Sequence, residues 1–174
     1  MKIAIIYAGK TGTTRDCVEI LKNKLTGQDV SVFDLNVTPP PTSLDGFDTV
    51  VIGGPVRLGK LYRPVQKYLS ENADALSAQR TVYFVVCAYA DRVDEYFEDF
   101  LTPNQRRSAL WTANFGGTLK LDRQKNVFMK LLVRAMRNDI IENGDSDDES
   151  MVRILPEINP GEISKTADII CSRI

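Results

Sequence analysis

Hydrophobic and polar positions alternate in blocks along this chain. Short apolar runs rich in β-branched residues recur between longer segments whose apolar residues follow helical spacing. The short runs predict five strands, at Ile3–Tyr7, Val30–Leu35, Thr49–Gly54, Thr81–Val86 and Ala109–Phe115. The longer segments predict helices at Thr13–Leu25, Leu61–Glu71, Val93–Leu101, Gln124–Arg137 and Gly161–Arg173. Because strands and helices alternate, we expect an α/β fold with three layers, in which a doubly wound parallel sheet lies between helices.

The length of 174 residues suits one domain, and no linker or internal repeat divides the chain. We therefore expect a single domain over residues 1–174, with five parallel strands in the order 2-1-3-4-5. The segment 36–43 contains three consecutive prolines and predicts an extended connection. A sheet of this kind binds ligands beyond the carboxyl ends of its strands, where the loops after the first and third strands flank a cleft.

A loop rich in glycine and hydroxyl groups joins the first strand to the first helix. After Ala8 it consists of Gly9, Lys10, Thr11, Gly12, Thr13 and Thr14. Its backbone N–H groups, its threonine hydroxyls and the positive end of the helix dipole predict a phosphate site. The alternative is an ordinary strand-to-helix turn with a capping threonine.

Two better-known phosphate motifs do not fit this loop. The nucleotide triphosphatase loop needs a glycine where Ala4 stands. The dinucleotide fingerprint needs three glycines, and the loop has only Gly9 and Gly12, so Asp34 is a weak match for the acid that binds ribose. What remains is a loop that holds a phosphomonoester.

Two further loops leave the carboxyl edge of the predicted sheet. The loop 55–62 combines a glycine, a proline and two cations, which lets backbone approach a flat ring such as a flavin. Arg57 or Lys60 would favour the reduced, anionic ring, and Tyr89 in the loop 87–91 would stack on it. The alternatives are a solvated charged loop for the two cations and an ordinary surface tyrosine for Tyr89. The predicted contacts are Pro55, Val56, Arg57, Leu58, Gly59, Lys60, Cys87, Ala88 and Tyr89. For Cys87 a buried packing role is the alternative.

The chain resembles the flavodoxin-like superfamily over nearly its whole length. The loop 9–14 is in register at the chain start, the segment 51–60 carries an Arg-x-Gly at 57–59, and Phe115-Gly116-Gly117-Thr118-Leu119 follows the fifth strand. These segments are most similar to the short, menaquinone-dependent protoporphyrinogen oxidase family of bacteria. The resemblance implies bound FMN with Gly117 at the cofactor site, and chemistry carried by the flavin without a catalytic side chain.

The resemblance implies an FMN-dependent oxidoreductase that dehydrogenates an organic substrate, such as a porphyrinogen, and passes electrons to a quinone. One alternative is a flavodoxin-type electron carrier without its own substrate, although the net charge of −1 differs from the strongly acidic balance of such carriers. The other is an interaction module that has lost FMN. Ala8 and Gly9 keep it open, because they stand where the family usually has Ser or Thr.

Composition narrows the chemistry and the compartment. Histidine is absent and the three cysteines are scattered, so no metal site is expected. The chain enters a strand at once and has no apolar run of spanning length, which predicts a cytoplasmic protein without a signal peptide. The near-neutral charge gives no argument for nucleic acid, and an oligomer stays open.

A basic amphipathic helix is predicted at 123–137, and an acidic segment at 139–149 follows it. A helix with this pattern fits peripheral contact with the inner face of a membrane or with an acidic partner. The alternative is a helix that packs on the sheet and exposes its basic side to solvent.

Overall fold

The computed structural model describes residues 1–88, 92–117 and 157–172, together with Arg134, which is helical and exposed. The strands are β1 Lys2–Tyr7, β2 Asp29–Asp34, β3 Thr49–Arg57, β4 Lys60–Leu61, β5 Thr81–Val86 and β6 Ala109–Asn114. The helices are α1 Thr13–Lys24, α2 Arg63–Glu71, α3 Ala73–Ala78, α4 Val93–Phe100, α5 Pro103–Ser108 and α6 Pro160–Cys171. Tyr89, the rest of the predicted basic helix and the acidic segment 139–149 lie outside the described residues.

The main sheet is parallel and has the order β2-β1-β3-β5-β6. This order agrees with the predicted 2-1-3-4-5, because β5 and β6 are the fourth and fifth predicted strands. The short strand β4 is additional and pairs with β3. Every residue of β5 is buried, and β3 is buried through Pro55. Such continuous burial is typical of parallel strands covered by helices on both faces.

Two core clusters lie on opposite faces of this sheet. Ala4 and Ile6 of β1 join one cluster with residues of α2, α3 and α4, whereas Ile3 and Ile5 join the other with residues of α1 and α6. Successive residues of a strand point to opposite faces, so the alternation along β1 produces the three layers. No helix of the described residues is long and apolar enough to cross a membrane.

The segment after the third predicted strand differs from the expected loop. β3 continues to Arg57 and returns as antiparallel β4, and Arg57 pairs with Lys60. Leu58 and Gly59 form the turn with φ values of 51° and 70°. Positive φ at both central residues is the type I′ pattern, whose twist matches a two-stranded hairpin. The predicted helix start at Leu61 is therefore wrong, because Leu61 belongs to β4 and α2 begins at Arg63.

α6 is fastened to the start of β5 by Arg80. Its Nη2 donates to the carbonyl oxygens of Ile169, Ile170 and Ser172 at 3.1, 3.1 and 2.9 Å. A cation at the carboxyl end of a helix binds the last carbonyls and offsets the negative end of the helix dipole. These bonds connect the end of α6 to the sheet on which the candidate site lies.

The described residues on either side of the stretch 118–156 lie next to each other. Gly116 and Ile158 form an antiparallel bridge. The N–H of Gly117 donates to Glu157 O at 3.2 Å, and the N–H of Asn159 donates to Phe115 O at 2.9 Å. A Cβ on Gly116 would lie 2.2 Å from Glu157 O, so this close approach requires glycine.

Candidate functional site

The loop after β1 leads into the amino end of α1. Gly12 is the N-cap of α1 with φ 87°, and no side chain caps the helix there. No threonine caps the helix at this point, since Thr13 and Thr14 are buried residues of the first helical turn; an ordinary strand-to-helix turn stays open as the alternative. The first helical hydrogen bond runs from Asp16 N to Gly12 O at 2.9 Å. The earlier N–H groups of the helix lack intrahelical acceptors, and such groups favour an anion.

Gly9 lies against Thr14. A Cβ at position 9 would be 2.9 Å from Thr14 Oγ1 and 3.0 Å from Thr14 Cβ, which is closer than side chains pack. The lack of a hydroxyl residue at position 9 therefore has a steric reason in this loop. Asn36 Nδ2 donates to Gly9 O and to Asp34 Oδ1, each at 3.0 Å, and so anchors the loop to the end of β2.

Arg57 reaches the same loop from the end of β3. Its Nη2 donates to Thr11 Oγ1 at 3.2 Å. Burial lowers the pKa of Arg57, although a guanidinium stays protonated at neutral pH. The ion pairs among the described residues involve Lys67, Arg92 and Arg106, and none includes Arg57. Because Thr11 accepts from Arg57, its own hydroxyl proton is available to donate to an anion in the loop.

Tyr62 joins the hairpin to the loops after β1 and β2. Its phenol donates to Asn36 Oδ1 at 3.3 Å, and its backbone N–H donates to Pro55 O at 3.0 Å. Lys10 Nζ lies 5.5 Å from the centre of its ring, within the range of a cation–π contact. The hairpin and the phosphate loop therefore form one connected structure.

A cavity of about 170 Å³ opens on the β2 side of the loop, lined by Tyr7, Gly9, Lys10, Gly12, Arg15 and Asp34. Burial raises the pKa of the Tyr7 phenol. The neighbouring Tyr7 phenol raises the pKa of Arg15. Asp34 was a candidate from the sequence, whereas Tyr7 and Arg15 were not, because their residue types carry no signal of their own.

A second group of predicted residues lies after β5 and β6. Asn114 Nδ2 donates to Cys87 O, and Cys87 N donates to Asn114 Oδ1, both at 3.2 Å. A Cβ on Gly117 would lie 2.9 Å from Ala88 N, so Gly117 is in close contact with the loop after β5. Cys87 is 5% exposed and belongs to a core cluster, as in the packing alternative. Asn114, which sequence reasoning missed, fastens these two loops together.

The two groups of residues share the carboxyl edge of the sheet. Pro55, where the hairpin leaves the main sheet, pairs with Val86, the residue before Cys87. A Cβ on Gly54 would lie 3.1 Å from Ala8 O, so the ends of β1 and β3 also touch. The described part of the predicted site is thus brought to one edge, with a cationic, hydroxyl-lined loop at one end.

Comparisons with known proteins match this architecture. A family model described as a flavodoxin domain matches residues 4–148. Two-electron reduced flavodoxin from Megasphaera elsdenii has a TM-score of 0.50 at 16% identity, over 78% of this chain and 98% of its own. A Lactobacillus acidophilus NCFM flavoprotein in complex with FMN has a TM-score of 0.49 at 13% identity, over 65% and 92%. An archaeal flavodoxin has a TM-score of 0.45 at 16% identity, over 82% and 97%.

Curated proteins give no sequence match to this chain. At such a low identity a solved structure informs on the fold alone, and the Megasphaera elsdenii flavodoxin confirms the flavodoxin-like sheet that the sequence predicted.

Proposed function

We propose that this chain, which belongs to the flavodoxin-domain family, binds FMN at the carboxyl edge of its sheet and transfers electrons through it. The observation that carries the proposal is the contact of Arg57 with Thr11. A half-buried cation without a carboxylate partner among the described residues loses hydration that a bound anion would replace. A phosphomonoester supplies that charge and accepts from hydroxyl and N–H groups.

The donor set fits a terminal phosphate. Thr11 and the first turn of α1 would hold its oxygens, and Arg57 would balance its charge. Asn36 would keep the loop in shape through its bonds to Gly9 and Asp34. The hairpin 55–61 and the contact of Gly117 with Ala88 would flank the ring. When bound, FMN supplies hydride and single-electron chemistry, so no side chain has to act as acid or base.

The experiment is a visible absorption spectrum of the purified protein before and after FMN is added, followed by gel filtration. We expect flavin bands that stay with the protein. Arg57→Gln removes one charge-assisted hydrogen bond, worth about 1.5–3 kcal/mol, and should weaken FMN binding by about 10- to 100-fold. Lys24→Gln is the control, because Lys24 is exposed at the far end of α1.

Riboflavin lacks the phosphate, so its binding distinguishes residues that contact the ring from residues that contact the phosphate. We expect Arg57→Gln to leave riboflavin binding unchanged, whereas equal losses for both flavins would place Arg57 at the ring instead. If no FMN binds at about 100 μM, which corresponds to about −5.5 kcal/mol, the electron-transfer proposal fails. The alternative of an interaction module would then replace it.

A second candidate is a dehydrogenase of the protoporphyrinogen oxidase type that passes electrons to a quinone. It rests on the resemblance at Arg57–Gly59 and 115–119, and on cations at this edge that suit propionate groups. The test is the appearance of porphyrin fluorescence when FMN-loaded protein is mixed with protoporphyrinogen and a menaquinone analogue. A rate equal to the uncatalysed one would leave a carrier without its own substrate.

We also propose that residues 1–174 form one domain, since α6 supplies Ile163 and Ile170 to the same core cluster as β1 and α1. We also propose that the 123–137 segment contacts the inner face of a membrane. The test compares the binding of the protein to anionic vesicles with that of a variant in which the cations of this segment are neutralised.

A further inference from the structure

We propose that the hairpin edge of this protein docks an acidic protein partner. Two sets of side chains define the edge. The cationic rim consists of Lys10, Arg57, Lys60 and Arg63. The apolar pair consists of Val37 and Leu58, which are 77% and 69% exposed and are the exposed large hydrophobic residues among those described.

Contacts around Tyr62 bring these residues to one place. Lys10 lies over the Tyr62 ring, and Arg63 follows Tyr62 at the start of α2. The Tyr62 phenol donates to Asn36, the residue before Val37. On the hairpin, Arg57 pairs with Lys60 on either side of the turn that carries Leu58. The rim is a local feature, because the whole chain has a net charge of −1.

Among the residues that the structure describes, Asp34 is the acidic side chain that these contacts bring to the same edge. Its Oδ1 accepts from Asn36 N and Asn36 Nδ2, each at 3.0 Å. It also lines the cavity with Arg15. After burial, its negative charge is a further cause of the raised pKa of Tyr7. The Asp34 charge therefore lies toward the cavity and Arg15, and Lys60 and Arg63 are exposed without an ion pair among the described residues.

The backbone at the hairpin tip is strained in a way that displays an apolar group. Leu58 has φ 51°, a region that leucine adopts at a cost and that asparagine or glycine adopts readily. Strained backbone concentrates at functional sites, and Leu58 combines this backbone conformation with a side chain that is 69% exposed. Apolar side chains beside exposed cations are the composition of a protein interface, and the positive sign selects an acidic partner.

The edge lies beside the loop to which we assign the phosphate, so a docked redox protein would approach the proposed flavin. The docking surface itself does not depend on a cofactor. We therefore test binding on the flavin-free protein, and FMN uptake is scored separately. Failure of FMN uptake with retained docking would remove the proposed cofactor and support the surface.

The probe is one haem protein in two charge states: cytochrome c with its lysines succinylated, which is acidic, and unmodified cytochrome c, which is basic. Each is titrated into the protein by calorimetry at about 10 mM salt and again at about 0.3 M salt. We expect the acidic form alone to bind, and the binding to vanish at the higher salt, because the screening length falls from about 30 Å to under 10 Å.

Two variants and one matched control identify the surface. Arg63→Glu reverses one rim charge and should weaken binding by about 5- to 10-fold, and Leu58→Asn should weaken it about 3- to 10-fold without a change of charge. Lys24→Glu makes the same charge change at the far end of α1 and should weaken binding less than Arg63→Glu does, because the attraction falls with distance from the rim. An equal loss in Lys24→Glu, or equal binding of both cytochrome forms, overturns the proposal. Tighter binding to phosphatidylserine vesicles, lost in the same two variants, overturns it in favour of a membrane surface.

Discussion

Leu58→Asn should make this protein more stable, although it replaces an apolar side chain by a polar one of similar size. The substitution changes the turn of the hairpin from Leu-Gly to Asn-Gly, the pair that type I′ turns prefer. Leu58 has φ 51° and Gly59 has φ 70°. Asparagine tolerates this left-handed conformation because its short side chain can bond locally.

The size of the effect follows from two opposing terms. Holding a leucine in the left-handed region costs about 1–2 kcal/mol, most of which asparagine recovers. Leu58 is 69% exposed, so about a third of the 1.5–3 kcal/mol for full burial, or about 0.5–1 kcal/mol, is lost. The net gain is about 0.5–1 kcal/mol, which raises Tm by about 1–4 °C for a chain of this size.

Thermal unfolding followed by circular dichroism measures the change, with urea unfolding as a second measure of the free energy. Leu58→Ala is the control, since it keeps the backbone cost and loses the side chain, and it should lower Tm. Gly59→Ala has nothing within 4 Å of the new Cβ. Its loss of about 1 kcal/mol would therefore be purely conformational.

A fall in Tm of more than about 2 °C for Leu58→Asn would refute this reasoning. It would mean that packing of the leucine outweighs the strain of its backbone. A rise in Tm for Leu58→Ala equal to that of Leu58→Asn would refute it as well, because alanine has no side chain that relieves the left-handed conformation.

Three other predictions concern the core and its edges. Gly53→Ala should cost more than about 3 kcal/mol in urea unfolding, because the new Cβ would lie 1.9 Å from Phe84 O, whereas Gly46→Ala meets nothing within 4 Å. Arg80→Met should lose about 1.5–3 kcal/mol and increase amide hydrogen exchange at the end of α6, whose carbonyls lose their donor. Burial raises the pKa of the Cys17 thiol from 9.0 to about 12. Only the unfolded thiol ionises between these values, so stability is lost as pH rises from about 9 to 12, and Cys17→Ala should reduce that loss by up to about 1.4 kcal/mol per pH unit.

The parallel core was predictable because its signal is local. The run Thr81–Val86 is continuously apolar or β-branched, and the structure confirms it as β5 with those bounds. The hairpin was missed because Pro55, Leu58 and two cations resemble a loop in sequence, and pairing across the turn depends on the path of the whole strand. α5 carried a signal that was not used: Thr102 and Gln105 form a capping box around Pro103 at the helix start.

The candidate site, like the fold, has parts that the local sequence predicts and parts that it does not. The loop 9–14 was predicted from neighbouring residues, and the structure places its last two residues at the start of α1, whereas its phosphate binding stays a prediction. The partner of Arg57 was not predictable, since the bond to Thr11 spans 46 residues and depends on the register of the hairpin. Asn36 and Asn114 act through bonds to residues 27 positions away in the chain, and nothing in their local sequence marks them.

The bridge between Gly116 and Ile158 brings the two described residues that flank the stretch 118–156 within hydrogen-bonding distance of each other. Because the N–H of Gly117 already donates to Glu157 O, a turn of about two to four residues would be enough to reconnect the chain in place of residues 118–156. Such a deletion would leave the sheet, α6 and the described site residues in register. The deletion would also test the proposed activities separately. FMN binding should be retained by the shortened protein, and any function of the basic segment should be lost.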